Sequence, residues 1–166
     1  MKNRILIALL FVSTVLMAQK KPSFDEATAK TKVITIKYFN DYLKLDFEVL
    51  KSQMDNDISF NDTTAKLILG VGLVEGKVKV FENFKKTYAS IVEMKSEPIR
   101  TMFSSNVGVF EIELTYKFKI SADKTITISK MPLIVILTVK DGKVIKHRDY
   151  GDYNYFLKQY KAQLSQ

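Results

Sequence analysis

Cysteine and tryptophan are absent from this 166-residue chain, histidine occurs once, and there are only three prolines and six glycines. Without a thiol there is no nucleophilic cysteine, no thiolate metal ligand, no redox switch and no disulfide. With one histidine, a zinc site would need at least three carboxylate or water ligands, an unusual set. No metal and no cofactor are therefore expected. Sparse glycine and proline, with 46% hydrophobic and 27% charged residues, exclude collagen-like, coiled-coil and disordered chains. The length suits one domain.

The first eighteen residues have a character of their own. Lys2 and Arg4 precede an almost unbroken apolar run from Ile5 to Met17, and Ala18 is a small residue at its end. This is the pattern of a secretory signal peptide, too short and wrongly flanked for a membrane span. Residues 1–18 are expected to be a leader and residues 19–166 a single domain, secreted or periplasmic. No cysteine follows the run to carry a lipid anchor. The formal net charge is +8, but the lysines are scattered along the chain rather than massed in one patch. Solvated helix faces account for them, and no nucleic-acid partner is expected.

Helical spacing comes first. Ile36, Phe39, Leu43, Phe47 and Leu50 step by three and four. Asp46 suits an N-cap, which splits the stretch into helices over 24–43 and 47–55. Residues 58–61 form a short strand candidate. Val78, Phe81, Phe84, Tyr88 and Ile91 predict a third helix over 77–94, with Pro98 barring any continuation. The period then changes to two. Phe110, Ile112, Leu114, Tyr116, Phe118 and Ile120 alternate with Glu111, Glu113, Thr115, Lys117 and Lys119, a long strand with unlike faces. Residues 125–139 are the next strand. Its apolar run 133–137 predicts cover on both sides, and Pro132 predicts a bulge or an edge departure. Asp141-Gly142 is a hairpin turn into a last strand over 143–150, and 155–163 suit a short closing helix. The sum is an α+β domain, three helices followed by a curled antiparallel sheet with helices on one face.

Two motif matches fail on context. His147-Arg148-Asp149 with Asn154 spells H-R-D-x-x-x-x-N, but the glycine-rich loop, Val-Ala-Ile-Lys and Asp-Phe-Gly of a kinase are missing. Gly70-Val71-Gly72 through Gly76 has the wrong spacing for a phosphate loop and lacks its Lys-Ser/Thr. It suits a flexible lead-in to the third helix, or a mobile cover over a pocket mouth. His147 and Asp149 are two apart on a strand and share a face. They form either an acid/base pair or a surface pair.

A helix, an Asp-capped helix, a short strand ending in an acid, a third helix, and a sheet closing with GKVIKHRDYGDYNYF together resemble the nuclear transport factor 2-like superfamily. The SnoaL-like branch fits best, over about residues 26–162. The resemblance implies a cone-shaped (cystatin-like) fold, a curved antiparallel sheet wrapped around N-terminal helices and enclosing an apolar pocket. Asp62 falls where ketosteroid isomerases keep a proton-shuttling aspartate, and Tyr38 where they keep an oxyanion-hole tyrosine. The second oxyanion donor of that family falls at Val135, which cannot donate. Asp149 matches the water-activating aspartate of limonene-epoxide hydrolases. Their companion arginine and aspartate fall at Glu113 and Thr115, and their water-holding tyrosine and asparagine at Phe60 and Asp62. Each mechanism is half present.

The resemblance thus implies Asp62, Asp149 and Tyr38 as candidate catalytic residues, to which the strand pair adds His147, and Tyr38, Phe60, Glu113, Thr115 and Val135 as candidate ligand contacts. Each acid and phenol also has a purely structural role open to it: a turn cap, a pocket wall, or a hydrogen bond that orients a neighbour. Three functions stay open. The first is an exported binding protein for a small, largely apolar molecule. The second is a cofactor-free isomerase, hydrolase or dehydratase with Asp62 or Asp149 as general base. The third is a structural oligomer with a filled cone. A two-fold homodimer is expected, because helices inside the curved sheet leave its outer side uncovered. Which face of the long strand lines the pocket is also open. Glu113 and Thr115 would make the pocket acidic, while Phe110, Ile112, Leu114 and Tyr116 would make it apolar.

Overall fold

The computed structural model describes residues 22–70 and 72–165, and the expected leader at 1–18 lies outside the described residues. Helix α1 (Phe24–Leu43) starts at Ser23, whose hydroxyl accepts from the Glu26 amide while the Glu26 carboxylate accepts from the Ser23 amide. This reciprocal capping box satisfies two otherwise orphaned donors. Helix α2 (Phe47–Gln53) is capped by Asp46, as its sequence implied. Strand β1 (Met54–Asp62) follows, then helix α3 (Thr63–Leu69), a two-residue strand β2 (Val74–Glu75) and helix α4 (Lys77–Thr87). Three long strands come next: β3 (Ile91–Ser104), β4 (Val107–Lys119) and β5 (Thr125–Lys140). Strand β6 (Lys143–Gly151) and helix α5 (Tyr153–Leu164) close the chain.

The strands form one curved, unclosed six-stranded sheet in the order β2-β1-β6-β5-β4-β3. The expected wholly antiparallel sheet is corrected to a mixed one, because β1 runs parallel to β6 while every other pair is antiparallel. Helix α1 lies across β3 to β6 on the inner face. It presents Thr31, Thr35, Tyr38, Phe39 and Tyr42 to the core. Gly108 permits this approach. A Cβ added there would meet the Thr35 Oγ1 at 2.6 Å and its Cβ at 2.9 Å.

Other expectations change as well. The third helix ends at Thr87, and residues 91–104 are a strand. Val80, Phe81 and Phe84 are its buried face, while Val78 is exposed. Pro98 sits within the edge strand β3, where a missing donor costs least, rather than stopping a helix. Residues 63–69 form α3. Asp62 caps that helix, and Gly70 ends it in the left-handed conformation at φ 70°.

The run 133–137 is covered on one side only: Leu133, Val135 and Leu137 are buried, while Ile134 is 39% exposed. The bulge in β5 lies not at Pro132 but near Lys130, which has φ 54°, where β4 shifts register between Leu114 and Tyr116. Asp141-Gly142 does form the expected turn, with φ 48° and 80°. Positive φ at both positions is the type I′ geometry that matches strand twist.

Candidate active site

The core begins with a histidine. His147 on β6 is fully buried and ringed by Tyr38, Tyr42, Phe60 and Phe84, with ring centroids 5.0–5.6 Å from its own. A buried imidazole needs partners for both nitrogens. Nδ1 lies 3.3 Å from the Tyr38 hydroxyl and Nε2 lies 2.9 Å from Asp149 Oδ1. Burial, and then the charge of Asp149, push the Tyr38 phenol well above its ordinary range, so it stays protonated and donates. Nδ1 is then the acceptor and Nε2–H donates to the carboxylate. One neutral tautomer satisfies the whole chain.

Asp149 is reached from the other side as well. The Tyr42 hydroxyl donates to Oδ2 at 3.4 Å and lies 2.5 Å from the Tyr88 hydroxyl. Burial is the largest cause holding the Tyr42 and Tyr88 phenols protonated, and the Asp149 charge adds to it in both. With Tyr42 spending its proton on Asp149, Tyr88 is the donor between the two phenols. Donors thus converge on Asp149 from both ends, Tyr38 through His147 and Tyr88 through Tyr42.

Asp149 lines a cavity of about 240 Å³ on the inner face of the sheet. Aromatic rings dominate its wall: Tyr42 and Tyr88 on one side, Tyr116 and Phe118 from β4, Tyr153 and Phe156 from α5. Met94, Leu114, Met131 and Leu133 fill the spaces between them. The apolar face of the long strand is therefore the inner one. Thr87, Ser90 and Ile91, at the turn from α4 into β3, complete the lining.

Asp62 faces the same side. It is the register partner of Asp149 across the parallel β1/β6 pair, and both are buried. Its oxygens are engaged elsewhere. Oδ1 accepts from the Ala65 amide and the Thr64 hydroxyl, which caps α3, and Oδ2 accepts from the Tyr153 hydroxyl, which ties α5 to β1. Burial outweighs these hydrogen bonds and raises the Asp62 pKa above the usual carboxylate value.

The structure therefore brings Tyr38, His147 and Asp149 into one hydrogen-bonded chain and sets Asp62 beside it, but only Asp149 lines the cavity. Tyr38, Phe60 and Val135 are buried behind the lining, in the core. Glu113 and Thr115 are placed on the opposite face of β4. The Glu113 carboxylate pairs with Lys130 at 2.9 Å, and the Thr115 hydroxyl accepts from the Lys130 amide at 3.0 Å. Strand alternation sends them outward once Leu114 and Tyr116 point in.

Sequence reasoning missed Tyr42, Tyr88, Tyr153 and Phe156. A signal existed for the first, since Tyr42 follows Tyr38 by one helical turn and shares its face. Among the described residues, no cluster of three His, Asp or Glu side chains is placed to hold a metal. No described helix is long and apolar enough to cross a membrane.

No family model matches the chain, and no curated sequence does. Solved structures do. A candidate SnoaL-like polyketide cyclase from Shewanella putrefaciens CN-32 superimposes with a TM-score of 0.71 at 17% identity, over 81% of this chain and 98% of its own. A second candidate SnoaL-like polyketide cyclase, from Shewanella denitrificans OS-217, gives 0.71 at 15% identity, over 80% and 98%. An LEH-like epoxide hydrolase from M. tuberculosis gives 0.63 at 14% identity, over 83% and 94%. At these identities the likeness is one of architecture, and the curved mixed sheet, the inner helix and the closing β6 segment together give this chain the nuclear transport factor 2-like fold.

Proposed function

We propose that the domain binds a small, largely apolar molecule in the cavity beneath α5, with Asp149 as its polar anchor. One observation carries this. An aromatic and aliphatic cavity contains a single carboxylate, itself fixed by two protein donors. That is the usual composition of a small-molecule site, an apolar wall with few and well-placed polar groups. The open volume argues against a cone filled by its own side chains.

The test is a titration of the full chain with a neutral single-ring compound, benzyl alcohol, followed by the methyl resonances of Met94 and Met131, which line the cavity. Saturable shifts at both methyls, abolished by the cavity-filling Leu114→Trp, are expected. Shifts that are absent, or that persist unchanged in Leu114→Trp, overturn the proposal.

A second function is favoured by the same carboxylate: a cofactor-free isomerase, hydrolase or dehydratase with Asp149 as general base. Its support is the chain Tyr38–His147–Asp149, which holds the base in one orientation at the cavity wall. Asp62 does not line the cavity and is proposed as a structural cap. Asp149→Asn should abolish turnover of any substrate found, and an unchanged rate in that variant would leave binding alone.

Residues 1–18 support export, through their basic front and apolar run. We place the mature domain in the periplasm or outside the cell, and intact-mass measurement from the native host tests it. A two-fold homodimer through the outer face of the sheet is supported by Ile99 and Ile134, 56% and 39% exposed and lining one shallow depression there. A monomer by light scattering at tens of micromolar would count against it.

A further inference from the structure

We infer that the ligand of this cavity is a small organic cation, a protonated amine carried on a flat apolar body about the size of one ring. The inference rests on the ligand-binding function proposed above and names the chemistry of the occupant.

Size comes first. An engineered cavity of about 150 Å³ takes benzene, so about 240 Å³ accommodates one ring with a short side chain. The wall comes next. Tyr42, Tyr88, Tyr116, Phe118, Tyr153 and Phe156 present ring surfaces, whose faces carry the negative end of the ring quadrupole and attract cations.

Charge decides the sign. Asp149 is the one ionisable group among the lining residues besides the tyrosines, and no lysine, arginine or histidine lines the cavity. His147 lies behind Asp149 with both nitrogens hydrogen-bonded inside the protein. An anionic ligand would meet this field with no opposing cation.

Hydrogen-bond supply points the same way. Each carboxylate oxygen of Asp149 accepts one protein donor, Oδ1 from His147 and Oδ2 from Tyr42. Each can accept another. Tyr42 and Tyr88 spend their protons on Asp149 and on Tyr42 and keep only acceptor capacity. Tyr153 spends its proton on Asp62. Those three phenols therefore offer the ligand acceptors rather than donors, while the hydroxyls of Tyr116, Thr87 and Ser90 elsewhere in the lining can still donate. An ammonium brings donors and a compensating charge together.

The test compares three probes of one skeleton on the full chain at neutral pH: benzylamine, benzyl alcohol and benzoate. The Met94 and Met131 methyl shifts report binding. Benzylamine should bind about tenfold tighter than benzyl alcohol, and benzoate should not bind at concentrations that saturate the other two. Asp149→Asn should bring benzylamine to the affinity that benzyl alcohol shows for the same variant. If that variant does not fold, the wild-type comparison alone decides. Benzyl alcohol or benzoate binding as tightly as benzylamine overturns the cation and leaves the cavity as a binding site. A preference for benzylamine that survives in Asp149→Asn also overturns the role of Asp149. No response to any of the three overturns the binding function together with the inference.

Discussion

Asp62 and Asp149 are register partners on the parallel strands β1 and β6, and their side chains leave the sheet on the same face, yet the two acids do different work. Asp62 turns both oxygens to the protein, one to the amide and hydroxyl that start α3 and one to Tyr153. Asp149 is held from behind by His147 and from the side by Tyr42, and it lines the cavity. Position in the sheet is shared, and the neighbouring donors decide the difference.

That difference has a pH signature. Burial raises the folded-state pKa of Asp62 above its ordinary value, so the folded protein prefers the protonated acid. Stability from this group is full below the ordinary carboxylate pKa and is lost as pH rises through the raised one. Asp62→Asn keeps an acceptor for the Ala65 amide and has no charge to bury. Its melting temperature relative to wild type should therefore climb as pH goes from about 4 to about 7. A constant difference across that range would show that the burial of charge is not what distinguishes the two chains.

The chain behind Asp149 should be sensitive to single deletions. Tyr38→Phe removes the donor to Nδ1 of a fully buried histidine and should cost about 1–2 kcal/mol in urea unfolding. His147→Leu fills the space but strands both Tyr38 and Asp149, and should cost about 2–4 kcal/mol. If His147→Leu proved as stable as wild type, Asp149 would not depend on the imidazole.

Helix α1 and strand β4 meet at Thr35 and Gly108 with no room for a methyl group. Gly108→Ala should destabilise by about 1–3 kcal/mol, since either the helix or the strand must move. Thr35→Ala in the same chain removes Oγ1 and Cγ2 and should recover part of the loss. An alanine tolerated without cost would mean that the helix packs more loosely than this contact requires.

Helix α5 has no buried residue, and side-chain amides help its aromatic rings to hold it against the sheet. Gln159 and Gln163 each accept from and donate to one backbone residue of β5, Ser129 and Thr127 respectively. Those residues lie beyond the reach of β6, whose pairing starts at Leu133. Replacing both glutamines with alanine should speed amide exchange at residues 127 and 129 and cost about 1 kcal/mol per site. Exchange unchanged at both amides would assign the closure of this edge to the aromatic stack of α5 instead.

Much of this molecule was legible in its residues. Period-two alternation from Phe110 to Ile120 marked β4, Asp46 marked the start of α2, and Asp141-Gly142 marked a type I′ turn, because each rests on local geometry alone. The spacing of His147 and Asp149 correctly put both on one face of a strand.

What escaped was set by partners distant in sequence. Residues 91–104 became a strand because β4 pairs along their whole length, and their own pattern did not require it. Residues 133–137 are covered on one side only because one layer of helix lies over the sheet. The inward face of β4 was undecided until α1 packed on Gly108. The cavity drew Tyr42 from α1, Tyr88 from the end of α4 and Tyr153 from α5, segments that meet only when β1 pairs in parallel with β6. Sequence determined those elements that rest on turns, caps and periodicity, since these act over a few residues. Tertiary structure alone decided which acid faces the cavity, since that depends on which donors the fold brings to each carboxylate.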